Sequence, residues 1–223
     1  PVDITAAVAR TGERTPGNVK LDESRKPADV LQFLGLKPGM QAIDLFGGNR
    51  YWAEIMAPVV GSRGHVTVWE PSQFYDRDSQ EKFAAFQAKA GNTHLVVSPF
   101  EAMVLEPNSY DFMMINLNYH DVYWQSAKYG VKRMDPDRFL GTVFAAMKPG
   151  GIVGVIDHVG NPGDTRETVE EYHRIDPEVV KADFERAGFR LEAQSDLLRN
   201  PQDDHSLLVF NPEIRGKTDR FIY

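Results

Sequence analysis

Asn118, Tyr119, His120 and Asp121 stand side by side in the stretch Asn116 to Trp124, where no apolar rhythm explains them as core residues. A neutral imidazole accepts a proton near neutral pH, and a neighbouring carboxylate orients the ring. His120 with Asp121 is therefore a candidate general base acting on a substrate hydroxyl or amine. The competing structural role is a loop stitched together by its own side chains, with His120 bonded to Asp121. Asn118, Tyr119 and Trp124 are candidate substrate-binding residues beside the pair. Asp157-His158 and His173-Arg174 are further polar clusters, and His158 and His173 are candidates to line the same pocket. Asp203 and Asp204 read as solvated positions. No two of the 6 histidines sit at a ligand spacing such as His-x-x-x-His, so no metal is expected.

A second group of residues suits ligand binding rather than proton transfer. The segment Met40 to Pro71 reads as an apolar strand (Gln41 to Phe46), the glycines Gly47 and Gly48, a helix (Tyr51 to Val60), and a second apolar strand (His65 to Trp69) ending on Glu70. Glycine permits positive φ and close backbone approach. A buried strand, a glycine turn and a helix start together make a seat for a nucleotide-like ligand. An acid about 20 residues beyond the glycines is the residue type that holds ribose hydroxyls. The segment lacks G-x-G-x-x-G, and the chain has neither a Walker lysine motif nor a G-x-S-x-G elbow, so dinucleotide, phosphoryl-transfer and hydrolase chemistries lose their key residues.

The remaining elements follow from periodicity and punctuation. Residues 1–23 are polar and broken by Thr15-Pro16-Gly17, an extended or partly helical lead-in. Ser24 and Pro27 are a cap and a first-turn residue for a helix carrying Val30, Leu31, Phe33 and Leu34. A helix is expected near Gln80 to Ala90, and strands at His94 to Val97, Tyr110 to Leu117 and Ile152 to Ile156. Asp135-Pro136 and Asp176-Pro177 open helices, with a polar helix through Tyr172 between them. Phe189 to Leu197 and Ser206 to Phe210 are two more strand candidates. Strands alternating with helices call for a mainly parallel sheet covered on both faces, an α/β fold in a single domain.

At 223 residues, 42% hydrophobic and 26% charged, the chain can bury a substantial core. A formal net charge of −7 with only scattered basic pairs argues against a nucleic-acid partner. No apolar run is long enough for membrane insertion. With 0 cysteines there are no disulfides or thiolate sites. The chain begins at Pro1 rather than Met, which a removed N-terminal signal would explain; the compartment stays open between the cytoplasm and, if such a signal was removed, the periplasm.

The ordered motifs resemble the class I S-adenosylmethionine-dependent methyltransferases. The resemblance rests on Asp44-Leu-Phe-Gly-Gly-Asn-Arg-Tyr-Trp52, on Glu70, and on Lys-Pro-Gly connectors before the first and fifth strands. Within that superfamily the chain is most similar to a group of bacterial predicted methyltransferases. The shared marks are Arg25 to Leu31, Tyr119 to Trp124, His173 to Pro177, Ser195 to Asn200 and Asp204-His205. The resemblance implies a Rossmann-like sandwich with a seven-strand, mainly parallel sheet whose last strand is antiparallel, in one domain spanning 1–223 with its core at 24–223.

It also implies S-adenosyl-L-methionine as cofactor and methylation of a small-molecule oxygen or nitrogen. Asp44, Phe46, Gly47, Gly48, Asn49, Arg50, Glu70, Pro71, Phe100, Glu101 and Asn116 would contact the cofactor, with Phe100 near the adenine. A homo-oligomer stays open. The usual turn has glycines where Phe46 and Arg50 stand, so Arg50 either crowds the cofactor, contacts its carboxylate or weakens binding. A non-catalytic binding module and a nicotinamide-dependent oxidoreductase are the alternatives.

Overall fold

The computed structural model describes every residue from Pro1 to Tyr223. The lead-in is more helical than its composition suggests, with α1 (Ile4–Ala9), α2 (Pro16–Val19) and α3 (Asp22–Arg25). Asp3 caps α1 by accepting from the Ala6 amide at 2.7 Å. Ser24 does not cap the next helix. It lies inside α3, and α4 (Pro27–Leu34) starts after Lys26, which takes a left-handed conformation at φ 46° with Pro27 at the first helical position.

From there strands and helices alternate: β1 (Gln41–Leu45), α5 (Tyr51–Val60), β2 (His65–Pro71), α6 (Arg77–Lys89), β3 (Thr93–Ser98) and β4 (Tyr110–Asn116). They are followed by α7 (Pro136–Ala146), β5 (Met147–His158), α8 (Thr165–Tyr172), α9 (Pro177–Ala187) and β6 (Arg220–Ile222). Asp76, Asp164 and Asp176 cap α6, α8 and α9 through their side chains.

The sheet order is β3-β2-β1-β4-β5-β6, with β1, β2 and β3 parallel and β6 antiparallel to β5. The order reverses between β1 and β4, the switch point where open α/β sheets bind ligands. The sheet therefore has 6 strands rather than the seven expected. Neither Phe189 to Leu197 nor Ser206 to Phe210 is a strand; Ser195 makes a single bridge to Ile222. The antiparallel last strand is β6, whose three residues are too short a run for sequence periodicity to register. β5 begins five residues earlier than its apolar run, at Met147.

The chain forms two compact units, one of Pro1–Met114 with Ala146–Gly154, the other of Ile115–Ala145 with Val155–Tyr223. In the first, Val30, Leu31, Ile43, Ile55, Met56, Val66 and Trp69 are fully buried, as strands covered on both faces require. Gly154 has no side chain because a Cβ there would lie 2.5 Å from a methyl of Leu34 on α4. In the second unit, Tyr119, Leu140, Val143, Ile175, Val180 and Ile222 are buried to the same degree.

Candidate functional site

In the first unit, β1 and β2 carry Asp44 and Glu70 to the glycine turn. Asp44 is 2% exposed, and its Oδ2 has no hydrogen-bond partner. Burial, followed by the charge of Glu70, raises its pKa well above the ordinary carboxylate range, with Arg25 opposing. Glu70 is pushed up to about 8 by burial, although the Gly48 amide bonds its carboxylate.

The glycines serve close approach, not positive φ. A Cβ on Gly47 would press on Asp44 Oδ2, and one on Gly48 would land on the Glu70 carboxylate. The left-handed residues are instead Phe46 (φ 60°) and Arg50 (φ 66°). Arg50 is buried and directs its guanidinium back to the Gly48 carbonyl at 3.3 Å. Asn49 is exposed, and its side chain accepts from the Tyr51 amide at 3.1 Å.

The lead-in, which drew no functional assignment from sequence, clasps the start of α5. Arg14 meets Asp22 with both guanidinium arms at 2.7 Å, and Tyr51 donates to Asp22 at 2.6 Å. Glu54 accepts from the Thr15 amide (2.8 Å), the Thr15 hydroxyl (2.7 Å) and Asn18 (2.9 Å). Arg25 lies over the Tyr51 ring at 4.4 Å, a cation–π contact. The signal for these residues is a buried aromatic-acid pair three apart on a helix, Tyr51 and Glu54, which demands polar partners from elsewhere.

Phe100 is 1% exposed and packs edge-on against Phe46 (5.2 Å), Trp69 (6.0 Å) and Phe74 (6.2 Å). Gln73 clips this loop, accepting from the Phe100 amide at 3.0 Å and donating to Glu101 at 2.9 Å. Pro71 closes β2 and is buried.

In the second unit, β4 ends on the half-buried Asn116 and leads into a 3-10 turn, Tyr119–Tyr123. His120 is 4% exposed, and its Nδ1 lies 2.8 Å from Asp157 Oδ1 while its Nε2 lies 3.2 Å from Asp121 Oδ1. Asp157 also accepts the backbone amides of His120 and His158, each at 2.8 Å. Burial works against charge on His120, but Asp121 and Asp157 outweigh it and raise its pKa well above the usual value. The two carboxylates thus favour the charged form of the ring that the sequence marks as a candidate general base. Asp121, bonded at 2.9 Å by Asn118, is held low by His120 against its own burial.

His173 is lowered by burial and then by His120, which favours its neutral form. Its Nδ1 lies 3.9 Å from Asp121 Oδ1, and its ring is flanked by Trp124 (5.6 Å) and the exposed Phe210 (5.4 Å). His158 is lowered further by burial and His120, and bonds Thr218 at 2.6 Å.

Tyr119 is a core residue rather than a pocket wall. It is 0% exposed and donates to Asp183 at 2.7 Å, an acceptor it shares with Tyr123 at 2.5 Å and Arg186 at 2.5 Å. Asp203 is buried as well, in a two-armed ion pair with Arg174 at 2.8 and 2.9 Å, whereas Asp204 is exposed. The structure thus gathers Asp121, Asp157, His158 and His173 around His120, with Asn118 bonded to Asp121 and Trp124 against His173, and draws Tyr119 away to α9.

The six-strand α/β sandwich is the fold of S-adenosylmethionine-dependent methyltransferases. A methyltransferase of that kind from Aquifex aeolicus superposes with a TM-score of 0.60 over 88% of this chain and 93% of its own, at 20% identity. Among curated proteins, the chain is similar to the demethylmenaquinone methyltransferase of Staphylococcus aureus, at 29% identity over 124 residues (56% of this chain, 45% of that protein). It is also similar to the ubiquinone/menaquinone biosynthesis C-methyltransferase UbiE of Shewanella piezotolerans, at 24% over 128 residues (57% and 46%). The chain spans about half the length of these curated relatives. No family model matches it.

Proposed function

We propose that this chain transfers a methyl group from S-adenosyl-L-methionine to a small-molecule acceptor. The observation that carries the reading is the pair of buried carboxylates at the glycine turn, Asp44 with an oxygen lacking a partner and Glu70 raised to about 8. Asp44 feels the charge of Arg25 but keeps Oδ2 unbonded, Glu70 is bonded by the Gly48 amide, and the methyl donor offers hydroxyls, an ammonium and a sulfonium. Its residues fit: Glu70 accepts ribose hydroxyls, Asp44 holds cationic or amide groups, Gly47 and Gly48 leave room, and the Phe46–Phe100 ring pair bounds the adenine side. Bound there, the donor supplies an electrophilic methyl.

The acceptor role falls to the second unit's cluster. Held protonated between two carboxylates, His120 presents positive charge to an ionising acceptor oxygen, Asp121 orients it, and Asn118, Trp124, His158 and His173 bind the acceptor. Trp124 and Phe210 beside His173 favour an aromatic acceptor. The quinone-pathway names of the curated relatives point the same way and make carbon methylation next to such an oxygen part of the proposal.

Calorimetry with S-adenosylmethionine and S-adenosylhomocysteine tests the reading, and no binding at millimolar ligand overturns it. Arg50, seated inside the turn, favours a second reading as a donor-binding module. Donor binding without turnover on phenols, alcohols and amines would select that one.

A further inference from the structure

We propose that the second unit binds one first-row divalent cation through His120 Nε2, Asp121 Oδ1 and His173 Nδ1. One ligand atom from each of these three residues lies within 4.8 Å of the other two. Two of the separations are 3.2 Å, His120 Nε2 to Asp121 Oδ1, and 3.9 Å, His173 Nδ1 to Asp121 Oδ1. Metal–ligand bonds of about 2.0–2.1 Å at tetrahedral angles place ligands about 3.4 Å apart, so an ion fits this triangle with small side-chain adjustment.

The surroundings are those of a metal ligand set. Asp157, fully buried and pinned by two amides, lies against His120 Nδ1, so a neutral His120 keeps its proton there and turns the Nε2 lone pair toward Asp121. Asn118 occupies the other Asp121 oxygen at 2.9 Å and leaves Oδ1 for the ion. Two imidazoles and one carboxylate suit zinc or iron(II) over magnesium, and three protein ligands leave positions open. The partly exposed His173 opens the set toward solvent between Trp124 and Phe210.

Such an ion replaces the proton between His120 and Asp121 and supplies the positive charge an acceptor oxygen needs. That part rests on the proposed methyl transfer; the binding site does not. The three ligands come from two distant segments, which is why sequence spacing concealed them.

The test uses the full chain, stripped with chelator and without methyl donor or acceptor. It is titrated with zinc chloride by calorimetry and with cobalt(II) by visible absorption. The expected result is one ion per chain with a dissociation constant of about 1 µM or tighter. His173→Asn, which keeps a residue tolerant of the left-handed position at φ 53°, and Asp121→Asn should each abolish the cobalt absorption. Asp157→Asn, one shell out, should weaken zinc by about 10- to 100-fold. Absence of binding overturns the proposal. So does binding that survives His173→Asn and disappears in His65→Ala, which places the ion on the His65–His94 pair, 2.6 Å apart on β2 and β3. Because no methyl donor is present, failure of the methyltransferase reading leaves either result intact.

Discussion

Asp44 in the first unit is 2% exposed with one oxygen unpartnered, whereas Asp157 in the second is 0% exposed and meets three hydrogen-bond partners. The contrast extends to their neighbours. Glu70 is also raised by burial, while Asp121, Asp203 and Asp219 are all lowered by the cations and amides around them. A buried carboxylate without compensation costs stability, and one that is fully hydrogen-bonded does not. At its glycine turn the first unit therefore holds an acid with an unpartnered oxygen, whereas Asp157 and Asp203 in the second are bonded by the protein's own groups.

Removing a partner in the second unit should give the largest effect. Arg174→Ala leaves Asp203 buried without its counter-ion, held only by the amides of Asp219 and His205, and should lower unfolding free energy by about 3 kcal/mol in urea titration, with no such loss for Arg190→Ala on the surface. In the first unit the effect should appear in binding. Gly48→Ala drives a methyl into the Glu70 carboxylate and should weaken donor binding by about 1–3 kcal/mol in calorimetry while the far-ultraviolet circular dichroism stays unchanged. Equal losses of fold and binding would erase the distinction between the units.

The pH dependence sharpens it further. Glu70 in the folded chain keeps its proton up to about 8, from a starting value of 4.5, so the folded state binds more protons across that window. Stability should therefore fall as pH rises from 4.5 to about 8, by at most about 1.4 kcal/mol per pH unit, and Glu70→Gln should flatten the slope. Donor binding, which favours the ionised acid, should tighten over the same range in the unaltered chain and not in Glu70→Gln. The smallest effect belongs to Arg50→Gly. Relieving a left-handed arginine at φ 66° should raise stability by about 0.5–1 kcal/mol. Donor affinity that falls at the same time would show that the guanidinium contacts the ligand.

Much of the architecture was legible because local rules and burial agreed. The apolar runs at 41–46, 65–69 and 110–117 became strands at 41–45, 65–71 and 110–116, and Asp-Pro pairs opened α7 and α9. Three things were not legible. Backbone conformation at the turn ran against residue preference, since the strain sits on Phe46 and Arg50 while the glycines make room. The lead-in read only as an extended or partly helical segment because its role depends on partners 30 to 40 residues away, as with Thr15 and Glu54. The raised pKa of His120 comes from Asp121 beside it and from Asp157, 37 residues further along the chain, and only the first of these carboxylates could be read from the local sequence.

The shared acceptor on α9 gives this protein an internal optical gauge. Tyr119 and Tyr123 both donate to Asp183, and burial, then the adjacent carboxylate, pushes both phenols far above their usual ionisation range. Burial and Asp183 thus oppose phenolate formation in both rings while α9 stays docked. In alkaline titration their ultraviolet signal should therefore arrive as one late, abrupt step coincident with loss of structure. Asp183→Asn should split it into an earlier, gradual rise, reporting the release of a single helix.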